Sequence, residues 1–252
     1  MSIRSAAAVV SVLMAQVAAA QPVPPLPPPR PIETPSPAPA PAPPPAPRPE
    51  APPAPTAGGP PAVPAPDDCL AGLQAAGFEI EPAEPPQVSN ELCRIDTPVR
   101  LKAVPVPTKA ETTVRLANQP VLACRFAGPF GHWIGDLVAP LVAGIKGSDL
   151  KAVQTGPGFE CRNRNRATTG KLSAHAQGLA IDIAGFELAN GMTLRIRPEP
   201  DAAPDPALAA LRTAACGWFT TILGPGSDEA HHDHLHVDIE QHGSSDRYRI
   251  CQ

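Results

Sequence analysis

Proline is distributed very unevenly in this 252-residue chain, and that distribution limits which part of the chain can fold. More than half of the 38 prolines lie in residues 21–67, a segment composed largely of proline and alanine. Proline has no backbone N–H and a fixed φ, so such a segment forms neither a helix nor a sheet ladder. We therefore predict an extended, disordered tether at 21–67 and a folded domain at 68–252. The tether is either a spacer across a cell envelope or a stretch without a specific partner.

Residues 1–20 have the pattern of a secretory signal peptide. Arg4 supplies a positive charge, an apolar run follows at 6–17, and the small residues at 18–20 form a cleavage site. The apolar run is shorter than the ~20 strongly apolar residues that a membrane-spanning helix needs. We expect cleavage, no stable membrane insertion afterwards, and a periplasmic or secreted protein. An uncleaved N-terminal anchor is the alternative.

All six cysteines lie in the predicted domain and indicate a disulfide-stabilised fold. An even number of cysteines behind a secretory signal is typical of a disulfide framework. The sequence contains no CxxC pair, which is the spacing of a cysteine-ligated zinc site. Pairing of neighbours along the chain would join Cys69 to Cys93, Cys124 to Cys161, and Cys216 to Cys251.

Short segments of helical and of strand periodicity predict an α+β domain with a small antiparallel sheet and flanking helices. Apolar residues close to helical spacing predict a core helix across 124–145. A second helix is predicted from Asp205, a preferred N-cap residue type, to Ile222. The Asn-Gly pair at 190–191 predicts a hairpin turn between two short strands.

The sequence DHLHVDI at 233–239 alternates like a half-buried strand. His234, His236 and Asp238 would share one face, and the intervening apolar residues would share the other. The apolar face can pack on a core, while the polar face puts two imidazoles side by side, where they can bind a metal. On this alternation Asp233 points away from the histidine face unless a bulge turns it.

A second stretch, SAHAQGLAIDIA at 173–184, combines a loop histidine with a strand carboxylate. Asp182 alternates with apolar residues and is flanked by small residues on its own face, so it has space around it. His175 precedes this strand, and Gly178 allows a tight turn between the two. With one histidine of 233–239, they would complete the His, Asp and His composition of a catalytic zinc site that keeps one position for water.

These two stretches carry a resemblance to known zinc peptidases. SAHAQGLAID followed by DHLH resembles the SxHxxGxAxD and [ED]xxH or HxH signatures of the LAS-type metallopeptidases, which include D-Ala-D-Ala carboxypeptidases and murein endopeptidases. The segment 69–251 more closely resembles the bacterial extensin-like C-terminal domain, through its cysteine spacing, the Cys-Arg pair before the first motif and the final HHDHLHVD. The resemblance implies a hedgehog/D-Ala-D-Ala-peptidase-like zinc site.

The resemblance also implies the roles of individual residues. The metal ligands would be His175, Asp182 and His236. The base would be Asp233 by the ExxH form of the signature or His234 by the HxH form. The family pattern ranks Asp233 slightly first, whereas strand alternation favours His234.

Two further residues have implied roles near the substrate. Arg162 matches an arginine that holds substrate in the carboxypeptidases, although the Tyr and Ser that flank that arginine are absent here. Ser173 fits substrate binding or support of the first ligand. The rest of the basic run 162–166 is predicted to be a solvated surface, as are three other histidines, His231, His232 and His242.

Together these features predict a zinc-dependent peptidase that hydrolyses a cross-link or stem peptide of peptidoglycan in the cell envelope. Zn2+ polarises a carbonyl and lowers the pKa of its bound water to about 7. The alternative is a non-catalytic peptidoglycan-binding or structural envelope module. The net charge of −4 argues against nucleic acid as the main partner. We expect a monomer.

Overall fold

The computed structural model describes residues 66–84, 87–197, 203–244 and 248–252. The predicted signal peptide and nearly all of the predicted tether lie outside these residues. The helices are α1 (Pro66–Ala75), α2 (Cys124–His132), α3 (Ala139–Lys146) and α4 (Pro206–Ala215), and a π-helical segment (Trp133–Val138) joins α2 to α3. None of the described helices is both long and apolar enough to cross a membrane.

Ten short strands form one sheet in the described part of the chain. They are β1 (Glu79–Pro82), β2 (Pro98–Pro105), β3 (Thr113–Leu116), β4 (Val121–Ala123), β5 (Leu150–Thr155), β6 (Ala180–Leu188), β7 (Thr193–Arg195), β8 (Thr221–Leu223), β9 (Leu235–Asp238) and β10 (Ile250–Cys251). Their order is β1-β2-β3-β5-β6-β9-β8-β10, with β4 paired to β2 and β7 paired to β6. Short 3-10 turns at Arg164–Arg166, Ala174–Gln177 and Glu229–His231 lie in the loops.

The domain is α+β, as predicted, but the prediction of a small antiparallel sheet is wrong because the sheet is mixed. The β3–β5 and β8–β10 pairs are parallel, and the other pairs are antiparallel. Parallel neighbours need a crossover connection. The run from α2 through the π-helical segment to α3 lies in the connection between β3 and β5.

That helical run is the core helix predicted across 124–145. Phe126, Phe130 and Trp133 are fully buried, and the Trp133 ring lies edge-on to Phe219 at a centroid distance of 5.3 Å. Gly135 sets how closely the run approaches β2, because a Cβ there would lie 2.2 Å from the Pro105 carbonyl oxygen. The helices therefore pack directly on the sheet that carries the candidate site.

Three disulfides join the described elements, and two of them differ from the prediction. The pairs are Cys69–Cys124, Cys93–Cys161 and Cys216–Cys251, with Cα separations of 6.2, 5.4 and 5.8 Å. The predicted Cys69–Cys93 and Cys124–Cys161 pairs are wrong, and Cys216–Cys251 is confirmed. Helix α1 packs against α2, which brings Cys69 to the first residue of α2. Cys93 forms a small apolar cluster with Phe159 and Ala176, so its partner comes from that segment.

Helix α4 is shorter than predicted. The Asp205 side chain caps its first turn by accepting from the Ala207 N–H at 2.9 Å. The helix ends at Ala215, and Ile222 belongs to strand β8, because that segment pairs with β9. The predicted hairpin at 190–191 is confirmed by the antiparallel pairing of β6 with β7.

Replacing Asp205 by alanine is expected to lower the free energy of unfolding by about 1–2 kcal/mol, because Asp205 caps α4 and also pairs with Lys146. Burial opposes the charge of Asp205, but the Lys146 and Ala207 hydrogen bonds hold its pKa below the usual value. The lowered pKa means that its contribution is complete at neutral pH and is lost as the pH falls below about 4. Urea unfolding at pH 7 and pH 3 measures both effects.

The matched control is Asp149→Ala. Asp149 pairs with Lys109 on the surface but caps no helix, so its loss should change the free energy of unfolding by about 0.5 kcal/mol or less. Equal destabilisation by the two substitutions would contradict the role assigned to the cap.

Candidate metal centre

Strands β6 and β9 bring a carboxylate and a histidine together. The two strands are antiparallel neighbours, and Asp182 lies directly opposite His236. Directly opposed residues have Cβ atoms about 4.5–5.5 Å apart. On the other face of β6, Ile181 and Ile183 are fully buried in the core. The apolar face thus anchors the strand, while Asp182 and His236 face a partly open site.

A tight turn carries His175 to the same point. The 3-10 turn at Ala174–Gln177 ends at Gly178, whose φ of +66° is a left-handed conformation that glycine adopts without strain. A Cβ on Gly178 would lie 2.7 Å from the Ala123 nitrogen, which donates to the Gly178 carbonyl. Glycine therefore lets the turn pack against β4, and His175 is left only 2% exposed.

Three donor atoms converge at this point. His175 Nε2 lies 3.1 Å from Asp182 Oδ1 and 3.2 Å from His236 Nδ1, and His236 Nδ1 lies 3.0 Å from Asp182 Oδ1. Two ligands of a tetrahedral zinc ion with bonds of 2.0–2.1 Å are separated by about 3.3 Å. The three atoms are therefore spaced like three corners of a zinc coordination tetrahedron. They form a potential metal-binding group among the described residues.

The outer nitrogen of each histidine is fixed by a hydrogen bond. His175 Nδ1 lies 2.7 Å from the Gly158 carbonyl oxygen, and His236 Nε2 lies 3.0 Å from Asp238 Oδ2. Both acceptors require an N–H on that nitrogen, so in the neutral form of each imidazole the lone pair lies on the nitrogen that converges. Hydrogen bonds of this kind orient metal-binding histidines and raise their basicity.

The charges and hydrogen bonds around His175, Asp182 and His236 favour a positive charge at the point where the three donor atoms converge. Burial opposes the charge of Asp182, but hydrogen bonds from His175 and His236 hold the pKa of its carboxyl far below the usual range. Burial also opposes charge on His236, but hydrogen bonds to Asp182 and Asp238 outweigh it and raise the pKa of His236 to about 9. Two imidazole nitrogens and one carboxylate fit Zn2+ and leave its fourth position for water or substrate.

His234 lies beside the three donors, and Asp233 lies behind His234. His234 Nε2 is 3.6 Å from Asp182 Oδ1, and His234 Nδ1 is 2.9 Å from Asp233 Oδ1. The hydrogen bond from His234 is the main cause of a lowered pKa at Asp233. His234 is thus on the face that the alternation assigned to it, with its Nδ1 held by a carboxylate and its Nε2 toward the donors.

Arg162 and Ser173 border the donors. Arg162 Nη2 is 3.4 Å from Asp182 Oδ2, and Arg162 Nε donates to Glu160 Oε2 at 3.0 Å. Ser173 is buried, and its backbone N–H donates to the Arg162 carbonyl at 3.0 Å. Arg162 is therefore a partly buried contact of Asp182, whereas the Arg166 side chain of the same basic run is 69% exposed.

His231 was predicted to be solvated, and that prediction is wrong. The residue is 7% exposed, and its Nδ1 lies 2.6 Å from Asp228 Oδ1. Its ring centroid is 5.2 Å from that of His234 and 5.6 Å from that of His236. Burial lowers the pKa of His231 more than Asp228 raises it. The signal in the sequence was Asp228, which caps the short turn that ends at His231.

The other two histidines predicted to be solvated differ from each other. His232 is exposed, as predicted. His242 is half-buried, because its Nε2 lies 2.7 Å from the Thr221 hydroxyl. The prediction for His242 is therefore wrong as well.

A cavity of about 100 Å³ adjoins the site on the His236 side. Its lining includes Arg162, Arg164 and Ser173 on the segment before His175, and His231, His236 and Asp238 on the segment around β9. Arg164 also pairs with Glu240 at 2.9 Å. A volume of this size holds a few water molecules or a small substrate group.

A comparison with known protein families matches residues 67–252 to the family described as Extensin-like protein C-terminus. Comparisons with curated proteins and with solved structures found no match. The matched range contains all three disulfides and both stretches that supply the converging donors. The chain therefore belongs to the extensin-like C-terminal family.

Proposed function

We propose that this chain is a zinc-dependent peptidase that hydrolyses peptide bonds of peptidoglycan outside the cytoplasmic membrane. The observation that carries the proposal is the convergence of His175, Asp182 and His236, whose donor atoms lie 3.0–3.2 Å apart. The resemblance of both motifs to LAS-type peptidases supports peptidoglycan as the substrate. The three disulfides and the signal-like N-terminus support a location in the cell envelope.

The protein groups around the donors supply the proton chemistry of the proposed reaction. Bound zinc would polarise the scissile carbonyl and lower the pKa of a water to about 7. His234 accepts the proton of the attacking water, because its Nε2 faces the donors while Asp233 holds its Nδ1. The imidazolium so formed is stabilised by the Asp233 carboxylate and then donates the proton to the leaving amine.

Arg162 borders the three donors through its contact with Asp182. Its guanidinium contacts Asp182 and Glu160, and these contacts fix its position next to the ligand. The remaining N–H groups of a guanidinium placed in this way can donate to a substrate carbonyl or carboxylate. Arg162 thereby orients Asp182 and the substrate at the same time.

We expect His234→Ala to lower kcat by about 10²–10⁴-fold, the usual contribution of a general base, and to leave zinc binding in place. Asp233→Ala should lower kcat by a smaller factor, because it removes the residue that orients the base and not the base itself. Steady-state kinetics on purified muropeptides, with zinc content measured in the same samples, checks both expectations.

His232→Ala is the control for these two variants. His232 is adjacent in sequence, its side chain is 53% exposed, and its Nδ1 contacts the Glu229 carbonyl. Its Nε2 lies 3.7 Å from Asp233 Oδ2, whereas His234 is held by Oδ1 of that carboxylate, so the kinetics of His232→Ala should stay close to those of the unmodified chain. An active His234→Ala variant beside an inactive Asp233→Ala variant would make Asp233 the base instead.

Purified peptidoglycan sacculi distinguish the peptidase from a non-catalytic wall-binding module. The full-length chain would be incubated with sacculi and zinc, and new amine termini would be measured together with the fraction of protein that sediments. The proposal predicts release of amine termini. Sedimentation with the sacculi without any release of amines would support the module and contradict the peptidase.

A further inference from the structure

A hairpin rich in basic residues precedes the candidate ligand His175. Residues 162–173 form this basic hairpin, and residues 164–171 are exposed. Its base carries Arg162 and Ser173, which have implied roles at the substrate, and the Ser173 N–H donates to the Arg162 carbonyl at 3.0 Å. The position of the basic hairpin therefore sets where these two residues lie.

One carboxylate holds both legs of the basic hairpin. On the first leg, Arg164 Nη2 lies 2.9 Å from Glu240 Oε2, and on the second leg, Lys171 Nζ lies 2.6 Å from Glu240 Oε1. The two legs are also joined to each other at this level, since the Arg164 N–H donates to the Lys171 carbonyl at 3.0 Å. Each carboxylate oxygen of Glu240 thus accepts from a different leg of the same hairpin.

Glu240 belongs to the segment that carries the candidate ligand His236. It follows β9, and its backbone N–H donates to Asp238 Oδ1 at 2.9 Å, while Asp238 Oδ2 lies 3.0 Å from His236 Nε2. The Glu240 side chain is only 19% exposed, so solvent screens its charge less than that of a fully exposed carboxylate. The side chain of Glu240 therefore ties the basic hairpin to the backbone that supports His236.

The basic hairpin and β9 are both walls of the cavity beside the site. Arg162, Arg164 and Ser173 line it from the hairpin, and His236 and Asp238 line it from β9. A carboxylate that is fixed to one wall and pairs with both legs of the other wall holds the two walls at a set separation.

We propose that Glu240 is a positioning residue that clamps the basic hairpin where Arg162 and Ser173 contact substrate. This inference rests on the proposed function, because it requires a substrate at those two residues. The apparent affinity for substrate falls with the fraction of molecules that hold the competent conformation. Loss of the clamp should therefore raise KM, and it should leave kcat close to that of the unmodified chain because the donors and His234 are untouched.

Glu240→Gln tests the clamp, because it keeps the size of the side chain and the backbone N–H to Asp238 and removes the charge. Hydrogen bonds to a neutral acceptor are roughly half as strong as those to a carboxylate. We expect trypsin to cut the folded chain about 3–10-fold faster after Arg166 and Lys171, because the cleavage rate follows the population of released hairpin. Mass spectrometry of timed digests measures this rate.

Kinetics on purified muropeptides provide the second measurement. KM for Glu240→Gln should rise by about 3–10-fold while kcat and zinc affinity stay the same. The difference in KM between the variant and the unmodified chain should narrow at about 1 M salt, which screens the pairs that form the clamp. A general loss of stability would not produce this dependence on salt.

Glu229→Gln is the matched control. Glu229 is an exposed residue of the short turn before β9, and both legs of the basic hairpin pair with Glu240 instead. Its substitution should leave tryptic cleavage and KM unchanged. Lys171→Gln provides a second variant if Glu240→Gln does not fold. It removes one of the two pairs, so we expect smaller increases in KM and in cleavage after Arg166.

The outcomes separate this inference from the proposed function. If the unmodified chain hydrolyses no muropeptide, the proposed function and the inference both fail. If it does so while folded Glu240→Gln, or Lys171→Gln in its place, matches it in tryptic cleavage and KM, the inference alone fails. Faster cleavage with an unchanged KM would show that the clamp does not serve substrate binding. A higher KM without faster cleavage would show that Glu240 does not act through the hairpin, and either result overturns the inference.

Discussion

Replacing His175 by alanine is expected to abolish both zinc binding and hydrolysis of muropeptides. The same outcome is expected for Asp182→Asn, which preserves the shape of the side chain and removes its charge. Each substitution leaves only two of the three protein ligands. Removal of a residue that merely hydrogen-bonds to a ligand lowers metal affinity by up to roughly 100-fold, so the loss of zinc affinity here should be larger than that. Zinc content after dialysis against a weak chelator and the rate of amine release measure the two losses separately.

His132→Ala is the control for the ligand variants. His132 is a helical histidine whose side chain is 45% exposed, pairs with Asp136 and lies edge-on to Phe78. Its replacement should leave zinc content and activity at the level of the unmodified chain. One equivalent of tightly bound zinc in His175→Ala, or full activity in either ligand variant, would contradict the assignment of the site.

Gly158→Ala is expected to destabilise the fold and to weaken the site. Gly158 has a φ of +84°, and a Cβ there would lie 2.5 Å from the Val121 carbonyl oxygen and 2.8 Å from Leu122 Cδ2. Left-handed strain and overpacking together should lower the free energy of unfolding by about 2–5 kcal/mol. The carbonyl of Gly158 also accepts from His175 Nδ1, so its displacement should lower zinc affinity by about tenfold or more.

Gly191→Ala separates the two effects of the Gly158 substitution. Gly191 has a similar φ of +87° but no atom within 4 Å of a Cβ, and it lies in the β6–β7 turn. Its substitution should cost about 1–2 kcal/mol of left-handed strain and should not change zinc affinity. Urea unfolding and chelator competition measure both quantities. Equal effects of the two substitutions on zinc affinity would show that the Gly158 carbonyl does not support His175.

Local alternation was enough to predict the strands that carry the candidate ligands. Asp182 and His236 each lie in a short strand whose apolar residues alternate with polar ones, so each strand has one buried face whatever it pairs with. The same alternation placed His234 toward the site and Asp233 away from it. Gly178 marked the turn before β6, because a left-handed residue was needed to reverse the chain there.

Features that depend on distant contacts were not predictable in this way. Apolar spacing continued the helix from Asp205 to Ile222, but pairing with β9 turns the segment around Ile222 into a strand. The partner of Cys69 depends on how α1 packs against α2 and not on chain order. The parallel pairing of β3 with β5 depends on the helical crossover, which single-strand patterns do not contain.

His231 shows a local signal that was present and was not used. Histidines near charged residues on a loop are often solvated, and the sequence around 228–232 is rich in both. Whether His231 is buried depends on Asp228, three positions earlier. Asp228 caps the short turn, and its carboxylate holds the His231 imidazole inward. A capping residue before a loop histidine is therefore evidence against a solvated histidine.

Mass spectrometry of purified muropeptides after incubation with the full-length chain tests whether the candidate metal centre hydrolyses peptide bonds. Reactions would be run with zinc, with a strong chelator, and with zinc restored after chelation, beside a parallel set with His236→Ala. We expect products cleaved at a peptide bond in the first and third reactions, and none with chelator or with His236→Ala. Unchanged muropeptides in the presence of bound zinc, or equal cleavage with chelator present, would contradict this expectation.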